Sequence, residues 1–188
     1  GNINYKYDKI HLVPFGEYIP FRKYFKSIAQ FISKKDFSSG TNKANINIEG
    51  VGNILPLICY EILFSSEVRS RVSKNTKLII NITNDAWFGN TAGPYQHLAL
   101  TKVRAVELGL PLARVANTGI SVLISPYGEE IIKIPLNSEG VKTTKLMSRL
   151  DETIYNKFGE YIFVILILII LFINKYVGSK NNFRRFNL

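Results

Sequence analysis

The single cysteine of the chain ends a short apolar run, Leu55-Pro56-Leu57-Ile58-Cys59, and Tyr60 and Glu61 follow directly. Ser65-Ser66-Glu67 then offers a cap for a helix continuing through Val68 to Val72. Strand, thiol, helix is an order that lifts a reactive side chain to a sheet edge beside a helix N-terminus. There the helix dipole and free backbone N–H groups favour a thiolate and hold a developing oxyanion. A cysteine nucleophile also needs a base for its proton and a donor for the tetrahedral intermediate. The residues of suitable chemistry are Lys9, His11, Glu17, Glu61, Asp85 and His97. Taken one at a time they prove little. A lone cysteine is more often a small buried hydrophobe, and His97, between Gln96 and Leu98, reads as a surface or packed helix residue. His11 reads as half-buried, and Glu61 either shares the pocket of the thiol or serves as a cap or ion-pair carboxylate.

The elements that must position these groups follow from periodicity. Lys9 to Pro20 holds Pro14, Gly16 and Pro20, so it is irregular or extended. Phe21, Tyr24, Phe25, Ile28, Phe31 and Ile32 recur at helical spacing, and residues 33–45 are polar and basic, a loop. Residues 46–48 and 53–59, joined through Glu49-Gly50-Val51-Gly52, predict a hairpin that feeds the cysteine. Lys77 to Thr83 is a β-prone buried strand running into the loop Asn84-Asp85-Ala86-Trp87-Phe88-Gly89-Asn90. Pro94 opens a helix that Gly109 closes after Leu108. Residues 112–116, 120–125 and 130–134 are further strands, the last two joined through Pro126-Tyr127-Gly128. Strands alternating with helices, then antiparallel strands, predict an α/β fold.

With 188 residues the chain is long enough for one domain with a sizeable core. A single cysteine excludes an internal disulfide framework and a cysteine-built zinc cage. The net charge of +10 comes from scattered basic residues without a legible nucleic-acid motif, so no nucleic-acid partner is expected. The composition changes at Tyr161–Ile173, thirteen apolar residues without a break. Extended to residues 158–177, with Phe158, Tyr161, Phe172 and Tyr176 at its ends, the segment reaches the ~20 residues a bilayer needs. Lys175, Lys180, Arg184 and Arg185 follow with no acid, the flank expected on the cytoplasmic side. The chain therefore divides into residues 1–152, extracytoplasmic, and residues 153–188, a transmembrane helix with a basic tail. It starts at Gly1 on residues that read as the middle of a folded segment, so it is expected to be the C-terminal piece of a longer protein.

Four stretches taken together carry a resemblance. They are residues 9–20 (Lys-Ile-His-Leu-Val-Pro-Phe-Gly-Glu-Tyr-Ile-Pro), Ile58-Cys59-Tyr60-Glu61, residues 84–89 (Asn-Asp-Ala-Trp-Phe-Gly) and residues 114–121 (Arg-Val-Ala-Asn-Thr-Gly-Ile-Ser). In this order they resemble the apolipoprotein N-acyltransferase family, the membrane-bound branch of the nitrilase (carbon–nitrogen hydrolase) superfamily, from about Tyr5 to Ile134. The resemblance implies an αββα nitrilase-type sandwich, here N-terminally incomplete, followed by one C-terminal transmembrane helix. It implies that Cys59 is the nucleophile, that the Lys9 ammonium stabilises the oxyanion, and that Glu17 supports the lysine. Tyr60 and Glu61 would line the pocket, with the Tyr60 N–H in the oxyanion hole, and Trp87 and Phe88 would form an aromatic loop near the lipid entrance. Arg104, Glu107 and Arg114 are read as a structural ion-pair network holding the helix on the sheet.

The implied reaction is two-step acyl transfer with no metal or cofactor. Cys59 takes an acyl chain from a membrane phospholipid as a thioester, and the amine of a diacylglyceryl-modified N-terminal cysteine on an apolipoprotein accepts it. The implied place is the bacterial inner membrane, with the catalytic part on the periplasmic side. The general-base glutamate of the family precedes the lysine motif and has no counterpart in these residues. Two competing readings follow: a nitrilase-type amidase acting on small amides, which would not need residues 158–177, and an inactive membrane-tethered remnant of a split acyltransferase.

Overall fold

The structure, a computed structural model, describes residues 3–24 and 36–185, with side chains of the last helix described through Tyr176. Six strands form one mixed sheet in sequence order: β1 (Ile46–Ile48), β2 (Gly52–Ile58), β3 (Thr76–Asn84), β4 (Leu112–Asn117), β5 (Ser121–Ile124) and β6 (Glu130–Ile134). β2, β3 and β4 are parallel, and the flanking pairs are antiparallel. Parallel neighbours need crossovers. Helix α1 (Ser65–Arg71) makes the first and α2 (Gly93–Leu108) the second. Pro94 in the first turn of α2 and Gly109 in the left-handed conformation at its end (φ +62°) mark its limits.

The two faces of the sheet differ. On one, Leu55, Leu57, Ile79, Leu112 and Ile124 are fully buried beneath Ile62, Val68, Leu98, Ala105 and Leu108. Burying each such Leu or Ile side chain is worth about 1.5–3 kcal/mol, so this layer is the main stabilising mass. Alternation puts Asn81 and its register partner Arg114 on the same covered face. On the opposite face the next register pair, Ile82 and Val115, is 59% and 58% exposed. The second sheet of the expected sandwich is not among the described residues.

Register also gathers chemistry. Ile58 pairs with Ile82 and Asn84 with Asn117, so Cys59, Asp85 and the turn at Thr118 leave the three parallel strands at one edge. The carboxyl ends of parallel strands are where α/β sheets place their sites.

After β6 the chain runs back without regular structure to α3 (Ile154–Phe158) and α4 (Tyr161–Arg185). Gly159, with φ +57°, separates the two, so the apolar helix starts three residues later than the expected 158. α4 packs on nothing along its apolar length: the residues from Phe163 to Ile173 are 48–71% exposed. Among the described residues no helix is long and apolar enough to cross a membrane. The helical spacing of Phe21 to Ile32 falls mostly on residues 25–35, outside the described part.

Candidate active site

The site is built on the turn that follows β2. Ile58 ends the strand, and Cys59–Leu63 forms a 3-10 turn whose first residue has φ +54°. A non-glycine residue in that region stores about 1–3 kcal/mol of strain and persists only when its surroundings hold it. Two side chains supply the hold. The Asn81 Nδ2–H donates to the Cys59 carbonyl at 3.1 Å, and Glu61 Oε2 accepts the Ile58 N–H at 2.6 Å. Ser65, read as a helix cap, belongs to α1 itself, and its neighbour Phe64 occupies the cap position without a side-chain hydrogen bond.

Glu61 is nearly buried, 4% exposed, and reaches across to the lysine loop. Its Oε1 accepts the backbone N–H of Ile10 at 2.7 Å and of His11 at 3.2 Å, and the Tyr7 hydroxyl donates to the carboxylate at 2.9 Å. Arg71 holds Tyr7 from the other side, donating to its oxygen at 2.9 Å. Burial and the facing Glu61 charge push the Tyr7 phenol well above its ordinary range, so it stays a donor. His11 adds a second tie, stacked on Phe64 at 3.5 Å with Nδ1 3.1 Å from Glu67 of α1. The loop carrying Lys9 is thus stapled to the turn carrying Cys59. Of the two readings of Glu61, cap and pocket residue, the geometry shows the cap.

Lys9 lies one residue before the stapled Ile10, with its side chain only 9% exposed. Its ammonium donates to both Glu17 oxygens at 2.7 and 2.8 Å, and Glu17 also accepts the Val13 N–H at 2.7 Å. A buried ammonium so paired keeps its charge and its direction.

Beneath the thiol lies a buried polar cluster. Arg114 donates through Nη1 to Asn81 Oδ1 at 2.9 Å and to Thr101 at 3.3 Å, and through Nη2 to Asp85 Oδ2. Asp85 Oδ1 accepts the Thr83 hydroxyl and faces His97 Nδ1, each at 3.1 Å. Burial pushes the Asp85 carboxyl up, but the His97 hydrogen bond and the Arg114 guanidinium outweigh it and hold the group below the ordinary carboxylate range. The His97 ring lies 5.5 Å from Tyr60 and 6.0 Å from Phe88. Arg114 does link sheet to helix, through Thr101, whereas Arg104 pairs within the helix with Glu107. Asn81 was not singled out from the sequence. The available signal was a polar residue in register with core positions, Asn81 two after Ile79 as Arg114 is two after Leu112.

Tyr60 is 36% and Trp87 81% exposed, and Phe88 is half-buried against Gly93. The site therefore opens beside aromatic surface.

A profile of the carbon–nitrogen hydrolases matches residues 1–155. The chain belongs to the carbon–nitrogen hydrolase family. Among its curated relatives are apolipoprotein N-acyltransferases. One from Bradyrhizobium diazoefficiens is 42% identical over 163 residues, 85% of this chain and 30% of that protein. One from Rickettsia bellii is 41% identical over 187 residues, 96% of this chain and 36% of that protein. The chain spans roughly a third of the length of these relatives. Of the solved structures, the NitN amidase from Neterenkonia sp. AN1 is similar at 23% identity with a TM-score of 0.49, covering 71% of this chain and 48% of that one.

Proposed function

We propose that the chain is the acyl-transferring part of an apolipoprotein N-acyltransferase. Cys59 attacks an ester carbonyl of a membrane phospholipid, Lys9 and the Tyr60 N–H stabilise the oxyanion, and Glu17 keeps the Lys9 ammonium in place. The lysophospholipid leaves and a thioester remains. The amine of a diacylglyceryl-cysteine at the N-terminus of an apolipoprotein then takes the acyl chain and frees the thiol. The base for the thiol proton comes from a glutamate upstream of the lysine loop. That upstream segment also supplies the second sheet, which covers the apolar face at Ile82 and Val115.

The observation that carries this reading is the stapling of the Lys9–Glu17 loop to the strained Cys59 turn by Glu61. A second observation favours a lipid substrate over small amides. An apolar helix leaves the body bare on all sides, and lipid is the solvent that makes such a surface stable. Residues 158–177 at 1.5 Å rise span about 30 Å, the thickness of a hydrocarbon core. With the basic tail inside, the catalytic body stands on the periplasmic side of the inner membrane, where Trp87 and Phe88 meet the bilayer surface.

The test is transfer of a labelled acyl chain from phospholipid vesicles to a diacylglyceryl-cysteine peptide by the reconstituted full-length protein. Labelled triacylated peptide is the expected product. Hydrolysis of small amides with no peptide acylation would replace this reading with the amidase one. Neither activity would leave the inactive remnant.

A further inference from the structure

We propose that Asn81, aimed by Arg114, is a positioning residue for the oxyanion donor of Cys59, an inference that rests on the acyl-transfer reading above. The Cys59 carbonyl and the Tyr60 N–H belong to one peptide plane, and in a trans peptide they point in opposite directions. Whatever fixes the carbonyl therefore fixes the N–H. Asn81 Nδ2 grips that carbonyl at 3.1 Å from the covered side of the sheet, where Asn81 is fully buried. This turns the Tyr60 N–H away from the sheet, toward the side where a substrate carbonyl must sit. With Cys59 at φ +54° the plane is strained, and without a grip it relaxes.

The amide of Asn81 is not free to choose its orientation. Arg114 Nη1 donates to Oδ1 at 2.9 Å, which leaves Nδ2 as the atom facing Cys59. Arg114 is itself held by Asp85 and Thr101, so the chain of fixed groups runs from the far side of the cluster to the reacting peptide. In the acylation step the Cys59 Sγ–C bond forms as the ester C–O bond breaks. The thiol proton passes by way of the base to the leaving alcohol oxygen. Charge builds on the carbonyl oxygen between these events, and only a donor already aimed at it lowers the barrier.

The test compares two reactions of one thiol in the full-length reconstituted protein. Acylation by a p-nitrophenyl ester passes through an oxyanion, whereas alkylation by iodoacetamide displaces iodide and does not. Asn81→Asp keeps shape and the Arg114 contact but turns the donor into an acceptor facing the Cys59 carbonyl. It is expected to slow acylation about 10- to 100-fold, a fraction of what deleting a whole oxyanion donor costs, while alkylation is unchanged and KM for the ester moves little. Arg114→Lys, which keeps a cation opposite Asp85 and releases Oδ1, is expected to give a smaller loss in the same ratio, and it carries the test if Asn81→Asp does not fold. Equal acylation-to-alkylation ratios in wild type and variants would reduce Asn81 to a fold residue and overturn the inference alone. A wild-type protein that is alkylated but never acylated would overturn the acyl-transfer reading and the inference with it.

Discussion

Replacing Glu61 by Gln is the perturbation that most sharply separates a staple from a pocket residue. The carboxylate faces donors only: Ile58 N–H on Oε2, Ile10 and His11 N–H on Oε1, and the Tyr7 hydroxyl between them. A glutamine keeps one acceptor oxygen and turns an NH₂ toward a backbone N–H, whichever way it is flipped. One charge-assisted hydrogen bond is lost and one nearly buried N–H left unpaired, a cost of about 2–4 kcal/mol. For a chain of this size each kcal/mol moves Tm by about 2–4 °C, so Glu61→Gln is expected to melt about 5–15 °C lower in detergent. Hydrogen exchange should localise the damage to the amides of Ile10, His11 and Ile58. Acylation of Cys59 should fall because the Lys9 loop is no longer tied down, while the thiol stays open to alkylation. A Tm within about 2 °C of wild type, with unchanged exchange at those three amides, would refute the staple.

Three further outcomes follow from the geometry. Asp85 has a folded pKa below its unfolded value, so its stabilisation is complete above the ordinary carboxylate range near ~4 and is lost as pH falls through the folded value. Asp85→Asn is therefore expected to cost about 3–5 kcal/mol at pH 7, by leaving Arg114 buried without its carboxylate, and the Tm gap to wild type should narrow in acid. Gly119→Ala would set a Cβ 2.5 Å from Asp85 Oδ2 and 2.9 Å from the Ala116 Cβ, so thermal melts should show a loss of about 1–3 kcal/mol. Trp87→Ala removes an 81% exposed side chain, and should leave Tm and p-nitrophenyl ester acylation unchanged while slowing acyl transfer from vesicles.

Much of the fold is legible because its signals are local. The Pro94 and Gly109 limits of α2, the 46–58 hairpin and the β3 strand each follow from periodicity and punctuation within a short window. Lys9, Glu17 and Cys59 are legible as candidates through the motifs around them, and the Lys9–Glu17 pair closes within one loop. What could not be read is what depends on distant register. The Asn81–Arg114 contact needs β3 and β4 in a particular alignment, and the four-donor role of Glu61 needs a loop about fifty residues earlier to fold back over it. The left-handed backbone at Cys59 has no local mark either, since such strain is imposed by the contacts that surround it.

The central claim is that Cys59 carries the acyl chain. Intact-protein and peptide mass spectrometry of the full-length protein, reconstituted and incubated with phospholipid of defined acyl composition, tests it most directly. The account predicts a hydroxylamine-labile adduct of one acyl mass on Cys59, absent in Cys59→Ser and sharply reduced in Lys9→Ala. No adduct, or one on another residue that survives Cys59→Ser, would contradict it.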